Sequence, residues 1–328
     1  MWGIKGGPPP PTTKLAIFYQ AGYQSEIVVN ATGYATTEKF NLWERIIKFG
    51  LKQKGILNSF DILEFQRIGV PETDPKSQLR STSYCRIFAE TSDPNVNLGL
   101  ASLLADFAMQ HYSGFHSTMD HRTAIPKPYL SFYPAVWPQN KLKTAINMLE
   151  SGRTRVVTTT PPPKFEEIGK RQSYETLNPV GFQSFGPTTR ARLGDVVLAR
   201  SGDKGGNANI GFFVPTNLPS SYSHGSPLYA ETWDWLRSFL TIPKLKEMFR
   251  ESWSDSFFVE RVEFEAIMAV HFVVYGVLGR GVSGSSRLDA FAKGMGDWLR
   301  DVEVEVPVKF LEGRVKGKAV AGRYSAEA

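Results

Sequence analysis

Two periods of apolar residues alternate along the chain and mark out its elements. Residues 14–19 and 26–29 read as strand material broken by a glycine turn. Residues 39–52 carry Leu42, Ile46, Ile47 and Phe49 at helical spacing, with Gly55 just beyond as a stop. Residues 60–65 and 82–88 predict two further strands around a polar loop over 71–79. Residues 98–112 predict the clearest helix of this half, with Leu100, Leu103, Leu104, Phe107 and Ala108 on one face. A last apolar run covers 129–133. Strand, helix, strand, strand, helix, strand is a split βαβ order and predicts an open α+β layer.

The periodicity then lapses. Residues 152–190 hold three threonines followed by three prolines, then Gly, Ser, Asn and Gln with sparse apolar positions. So long a stretch predicts a linker or an extended wrap over the surface. Periodic structure resumes at residue 192 with a strand, a polar loop, a second strand, and a helical stretch over 228–250 that Pro243 should break in two. A long β-prone run over 262–275, a short helix over 288–299 and an alternating strand over 302–308 complete the chain. His271 inside the β-prone run reads as a packed or half-buried histidine.

Composition narrows the class. The chain has 328 residues, 41% hydrophobic and 12% aromatic, which suits two domains with real cores. The net charge of +6 is spread among interspersed acids and bases, which favours small anions and argues little for nucleic acid. Cys85 is the only cysteine, so no intrachain disulfide forms and a reducing, cytoplasmic setting fits. Its alternating surroundings predict a buried structural thiol. No apolar run approaches the roughly 18 residues of a membrane span, and the N-terminus lacks the apolar core of a signal peptide. The glycines and four prolines of residues 1–13 read as a linker.

The chemistry concentrates in Arg200-Ser201-Gly202-Asp203-Lys204-Gly205-Gly206-Asn207-Ala208-Asn209-Ile210-Gly211. Its glycines can expose backbone N–H groups, and Arg200 and Lys204 add charge, so it can cradle a phosphate or carboxylate. It can equally be a polar hairpin connection, in which Asp-Lys-Gly-Gly is ordinary turn chemistry. A second glycine-rich stretch over 277–286, with Arg280 between two glycines, is a further candidate anion cradle. Three of the five histidines fall within 111–122, but a glycine-containing loop offers no fixed face for a metal, so none is assigned. His121 and Arg122 are better placed at the edge of a pocket.

The 200–211 stretch resembles the signature that opens the C-terminal domain of the acyclic terpene utilisation (AtuA-like) family. Met119-Asp120-His121-Arg122-Thr123 with Pro126-Lys127-Pro128-Tyr129 resembles the end of that family's larger N-terminal domain. The resemblance implies a ferredoxin-like α+β fold for residues 191–312 and the C-terminal part of an α/β domain for 14–150. Residues 151–190 are then the linker and 313–328 a tail, with an upstream N-terminal region expected to be missing. It also implies terpenoid or acyl catabolism, and a specialised-metabolite pathway is an equally natural setting.

Three functions follow. The first is a lyase or hydratase, or a subunit of one, acting on a carboxylated or CoA-linked branched acyl substrate. There Asp203 is the acid/base candidate. Arg200, Ser201, Lys204, Gly205, Gly206 and Arg280 hold the anionic end, while Asn207 and Asn209 orient a carbonyl. The second is a non-catalytic ligand-binding or assembly module, and the third an inactive truncated paralogue. The sequence demands no cofactor. The partners expected are an anionic small molecule and either further copies of the chain or the missing N-terminal region, with no nucleic acid and no membrane.

Overall fold

The computed structural model describes residues 5–107, 110, 112–118, 120–150, 152–215 and 227–311. Ala108, His111 and Met119, and the tail over 313–328, lie outside the described residues. The chain forms two compact units, Phe18–Phe132 and the remainder, Met1–Ile17 with Tyr133–Ala328. Among the described residues no helix is long and apolar enough to cross a membrane.

The elements up to residue 138 are β1 (Thr12–Thr32), α1 (Thr36–Gln53), β2 (Ile62–Ile68), β3 (Thr82–Thr91), α2 (Pro94–Asp106), β4 (Phe115–Ser117) and β5 (Lys127–Pro138). The sheet order is β2-β3-β1-β4, with β5 also on β1. Because β3 is antiparallel to both β1 and β2, those two run parallel with β3 between them, which is a split βαβ arrangement. β1 is one 21-residue strand, not two pieces around a turn. Gly22 serves close packing there, since a Cβ would sit 2.7 Å from the carbonyl oxygen of Thr91.

The buried face of α1 is Phe40, Trp43, Ile47 and Leu51, spaced i, i+3, i+7 and i+11. Leu42 and Phe49, expected on that face, are exposed instead. The aromatic pair sets the rotation, and Gly50 completes the face by letting Leu103 of α2 approach to where its own Cβ would be. α2 starts at Pro94, ahead of the expected residue 98, because the Asp93 side chain accepts from the N–H of Asn95 and Pro94 occupies the first turn. Cys85 is buried in this core, and burial pushes its thiol up to about 12.

The remainder continues with hairpin β6 (Ala145–Glu150) and β7 (Arg153–Thr158), then β8 (Thr188–Arg192), β9 (Leu198–Lys204) and β10 (Asn207–Phe213). Helices α3 (Pro227–Phe239) and α4 (Ile242–Phe249), strands β11 (Phe258–Phe264) and β12 (Ala269–Tyr275), α5 (Met295–Arg300) and β13 (Glu303–Pro307) follow. The antiparallel order β11-β12-β10-β9 makes a four-stranded sheet, and β13 pairs with β8. Ile210, Phe212, Phe272 and Val274 pack from one sheet face against Trp235, Leu240, Phe249 and Leu299 of the helical side.

Three details depart from the pattern. The β-prone run folds back on itself as β11 and β12, turning at Met268 in the left-handed region (φ 47°). The last helix is only six residues long, because the Asp289 carboxylate accepts from the N–H groups of Lys293 and Gly294 and holds a turn instead. The stretch expected to be a linker carries β7, paired with β6 just before it; from Arg171 to Thr176 it runs along the β11 edge, and Asn178 and Val180 then bond to Arg237 and Ser238 of α3.

That strap is held by Arg261, which is fully buried. Its guanidinium donates to the carbonyls of Tyr174, Arg237 and Leu240 and to Thr176 Oγ1, and pairs with Glu263 at 2.8 Å. The backbone joins in: Tyr174 N–H bonds Arg261 O, and Arg261 N–H bonds Ser173 Oγ. The strap thereby covers a strand edge that would otherwise be open. The proline run is tied down as well, with Pro9, Pro10 and Pro11 carbonyls accepting from Glu166 and Gln139.

Arg261→Met should cost about 3–5 kcal/mol, because Glu263 and three carbonyls lose a buried partner. Urea unfolding would show the lowered midpoint, and limited proteolysis should then cut within 171–180, which the parent protects.

Candidate active site

The signature stretch is a tight hairpin. Arg200 to Lys204 lie in β9, Asn207 to Gly211 in β10, and only Gly205 and Gly206 turn between them. Each glycine has its own reason, one conformational and one steric. Gly205 has φ +65°, and a Cβ on Gly206 would lie 2.3 Å from the carbonyl oxygen of Gly279. Leu278 N–H donates to Gly206 O at 3.0 Å, so the second glycine-rich stretch meets the first backbone to backbone. Arg280 belongs to that second turn, between Gly279 and Gly281.

The pleat sorts the remaining residues onto two faces. Residues paired across an antiparallel ladder point to the same side. Asp203 pairs with Ala208 and Ser201 with Ile210, both in the core, so Ser201 and Asp203 turn toward the helical side. Ser201 Oγ there accepts from the N–H of Gly296, at the start of α5, at 2.8 Å. Arg200, Gly202 and Lys204 pair with Gly211, Asn209 and Asn207 on the opposite, open face.

That open face forms one wall of a cavity of about 620 Å³. Lys204, Asn207 and Asn209 line it with His271, Val273 and Tyr275 of β12 and Glu260, Val262 and Phe264 of β11, while Lys14, Arg171 and Tyr174 close it. Sequence reasoning missed most of these. The available signal was the period-two spacing of 260, 262, 264 and of 271, 273, 275, which matches that of 207 and 209.

The polar groups here have distinct duties. Glu260 accepts from Tyr275 Oη at 2.9 Å and from Arg171 at 3.2 Å. Asn207 Oδ1 accepts from Gly276 N–H at 3.0 Å and so steadies the end of β12. Lys204 Nζ donates to its neighbour's carbonyl, Asp203 O, at 2.8 Å. Asn209 Nδ2 lies 3.4 Å from His271 Nε2, and its buried Oδ1 has no partner among the described residues. Whichever way that amide is turned, one of its polar atoms remains unmatched. His271 is held below the usual histidine range by burial, then by Arg171 and Lys204. Three cations against one carboxylate leave the lining at a net charge of two, positive.

His121 and Arg122 line a different cavity, in the Phe18–Phe132 unit. Of the other clustered histidines, His116 meets Thr32 Oγ1 at 3.1 Å, and His111 lies outside the described residues. Among the described residues no three His, Cys, Asp or Glu side chains gather into a metal-binding group.

A four-stranded antiparallel sheet with helices on one face and a polar cavity on the other defines an α+β domain with a candidate small-molecule site. The model of the acyclic terpene utilisation family protein AtuA matches residues 1–148, and that of the AtuA ferredoxin-like domain matches residues 191–305. The chain belongs to the AtuA family. No curated protein and no solved structure gives a match.

Two outcomes follow. His271 should titrate below 6.5 by NMR, and Lys204→Met should raise its midpoint by removing a nearby positive charge. Because its folded value is depressed, its contribution to stability is complete above 6.5 and is lost as pH falls through the folded value. Gly206→Ala should destabilise the protein by roughly 1–3 kcal/mol, since the new Cβ meets backbone that must shift, and thermal melting would register the loss.

Proposed function

We propose that the open face of the ferredoxin-like sheet binds an organic anion with an apolar body. The candidate substrate is a carboxylated or CoA-linked branched acyl compound, and the reaction a hydration or its lyase-type reverse. The observation that carries this reading is the convergence of Lys14 and Lys204 on neutral His271 and half-matched Asn209, above an apolar floor of Val262, Phe264 and Val273. The cations would take the anionic end, and the apolar residues the chain. Arg171 is engaged by Glu260 and would hold the strap in place.

In hydration of a conjugated acyl thioester, water's oxygen bonds to the β-carbon and a proton goes to the α-carbon. A neutral imidazole can take the proton that water releases, and an amide N–H can hold the thioester oxygen as negative charge develops on it. His271 and Asn209 suit those two duties. Supporting His271 over Asp203 as the base is the pleat, which turns Asp203 to the helical side of the sheet. The non-catalytic reading also has an observation in its favour. The left-handed φ of Gly205, the packing of Gly206 and the backbone bond of Asn207 make part of the signature structural.

Titration calorimetry with branched acyl-CoAs, free branched carboxylates and CoA alone would test binding. Loss of conjugated-thioester absorbance would test hydration. Lys204→Ala should weaken binding by about 1.5–3 kcal/mol, roughly 10- to 150-fold, if a charge-assisted hydrogen bond is lost. His271→Gln should bind within a few-fold of the parent yet lose turnover, whereas Asp203→Asn should keep both. Turnover lost only in Asp203→Asn would return the proton-transfer role to Asp203. Unchanged binding in Lys204→Ala and Asn209→Ala would remove the ligand from this face.

A further inference from the structure

We infer that the Phe18–Phe132 unit carries a second small-molecule site, shaped for an uncharged, largely apolar ligand. Its cavity of about 900 Å³ lies within the roughly 300–1,000 Å³ range of small-molecule sites. Val29 of β1, Trp43 of α1, Ala101 and Leu104 of α2, Phe115 of β4 and Ile125 make its apolar lining. The Trp43 and Phe115 rings meet at a centroid distance of 4.5 Å with their planes tilted by 42°, giving it an aromatic wall. The rim over residues 120–125 is anchored where Glu26 N–H bonds Thr123 O at 2.8 Å and Ala124 N–H bonds His121 O.

The charges facing this cavity are matched in pairs. Arg122 Nε and a terminal nitrogen donate to the two oxygens of Asp120 at 2.8 and 2.5 Å, a bidentate pair on the exposed rim. That pairing holds the Asp120 carboxyl well below the usual carboxylate range. Glu26, the remaining charged residue of the lining apart from His121, pairs with Arg86 at 2.7 Å. A bound carboxylate would share Arg122 with Asp120 and lie near Glu26, in a lining whose charged side chains are already paired. A neutral ligand has neither difficulty, and its apolar body gains from the lining. The hydroxyls of Ser117, Thr118 and Thr123 suffice for an alcohol, ester or ketone oxygen.

N-phenyl-1-naphthylamine and its 8-sulfonate are a matched neutral and anionic pair of fluorescent probes for the full-length protein. At pH 8, where an ordinary imidazole is neutral, the neutral probe should bind once per chain, at least tenfold tighter than the sulfonate. Ala101→Trp should abolish that binding by filling the cavity. Thr118→Trp, at the exposed rim, should weaken it tenfold, and circular dichroism and melting would certify the fold of each. Asp120→Asn should free Arg122 and tighten the sulfonate about tenfold. Lys204→Ala should leave neutral-probe binding unchanged, which separates this site from the sheet-face cavity. Neutral-probe binding that survives both folded tryptophan variants, or a sulfonate that matches the neutral probe in the parent, would overturn the proposal.

Discussion

The fully buried guanidinium of Arg261 is the constraint on which the C-terminal half depends. It takes carbonyls from the end of α3 and the segment after it, and from the strap, and it neutralises Glu263 from its own strand. Each of those groups would be costly to bury alone, so the arrangement is all or nothing. Helix, sheet edge and strap are fixed relative to one another by one planar group. Arg171 and Tyr174, which close the sheet-face cavity, are carried on that strap. Ligand-binding geometry on one face of the sheet therefore rests on a hydrogen-bond cluster on the other.

The same division of labour explains the signature hairpin. One face of β9 and β10 is core, with Ser201 docking α5 and Ala208, Ile210 and Phe212 buried. The other face supplies Lys204 and Asn209 to the cavity. The turn itself is glycine because a second glycine turn lies against it with no room for a Cβ. A motif of this composition is therefore three things at once: a packing joint, a core strand pair and a ligand-facing edge.

Much of the fold was legible. The α+β class, the split βαβ order, the break before Pro243 and the buried thiol at Cys85 all follow from periodicity and local composition. The rotation of α1 was not, because Phe40 and Trp43 prevail over Leu42 and Phe49 only once α2 leans on Gly50. The long β-prone run could not announce its turn at Met268, a residue with no turn signature.

For the site, the sequence by itself determined which residues carry charge and amide groups, and that they cluster around one glycine pair; that they lie within the strands of a hairpin, not in a loop between strands, came from the fold. The sequence could not determine which of them share a face with which partners from β11, β12, the strap and residue 14. Strand alternation is written into the chain, but pairing register is set by the whole sheet. Only the folded register brings His271 beside Asn209 and turns Asp203 to the other side. Arg261 was invisible for the same reason. A lone arginine in a strand reads as solvated until the tertiary structure surrounds it with carbonyls from elsewhere in the chain.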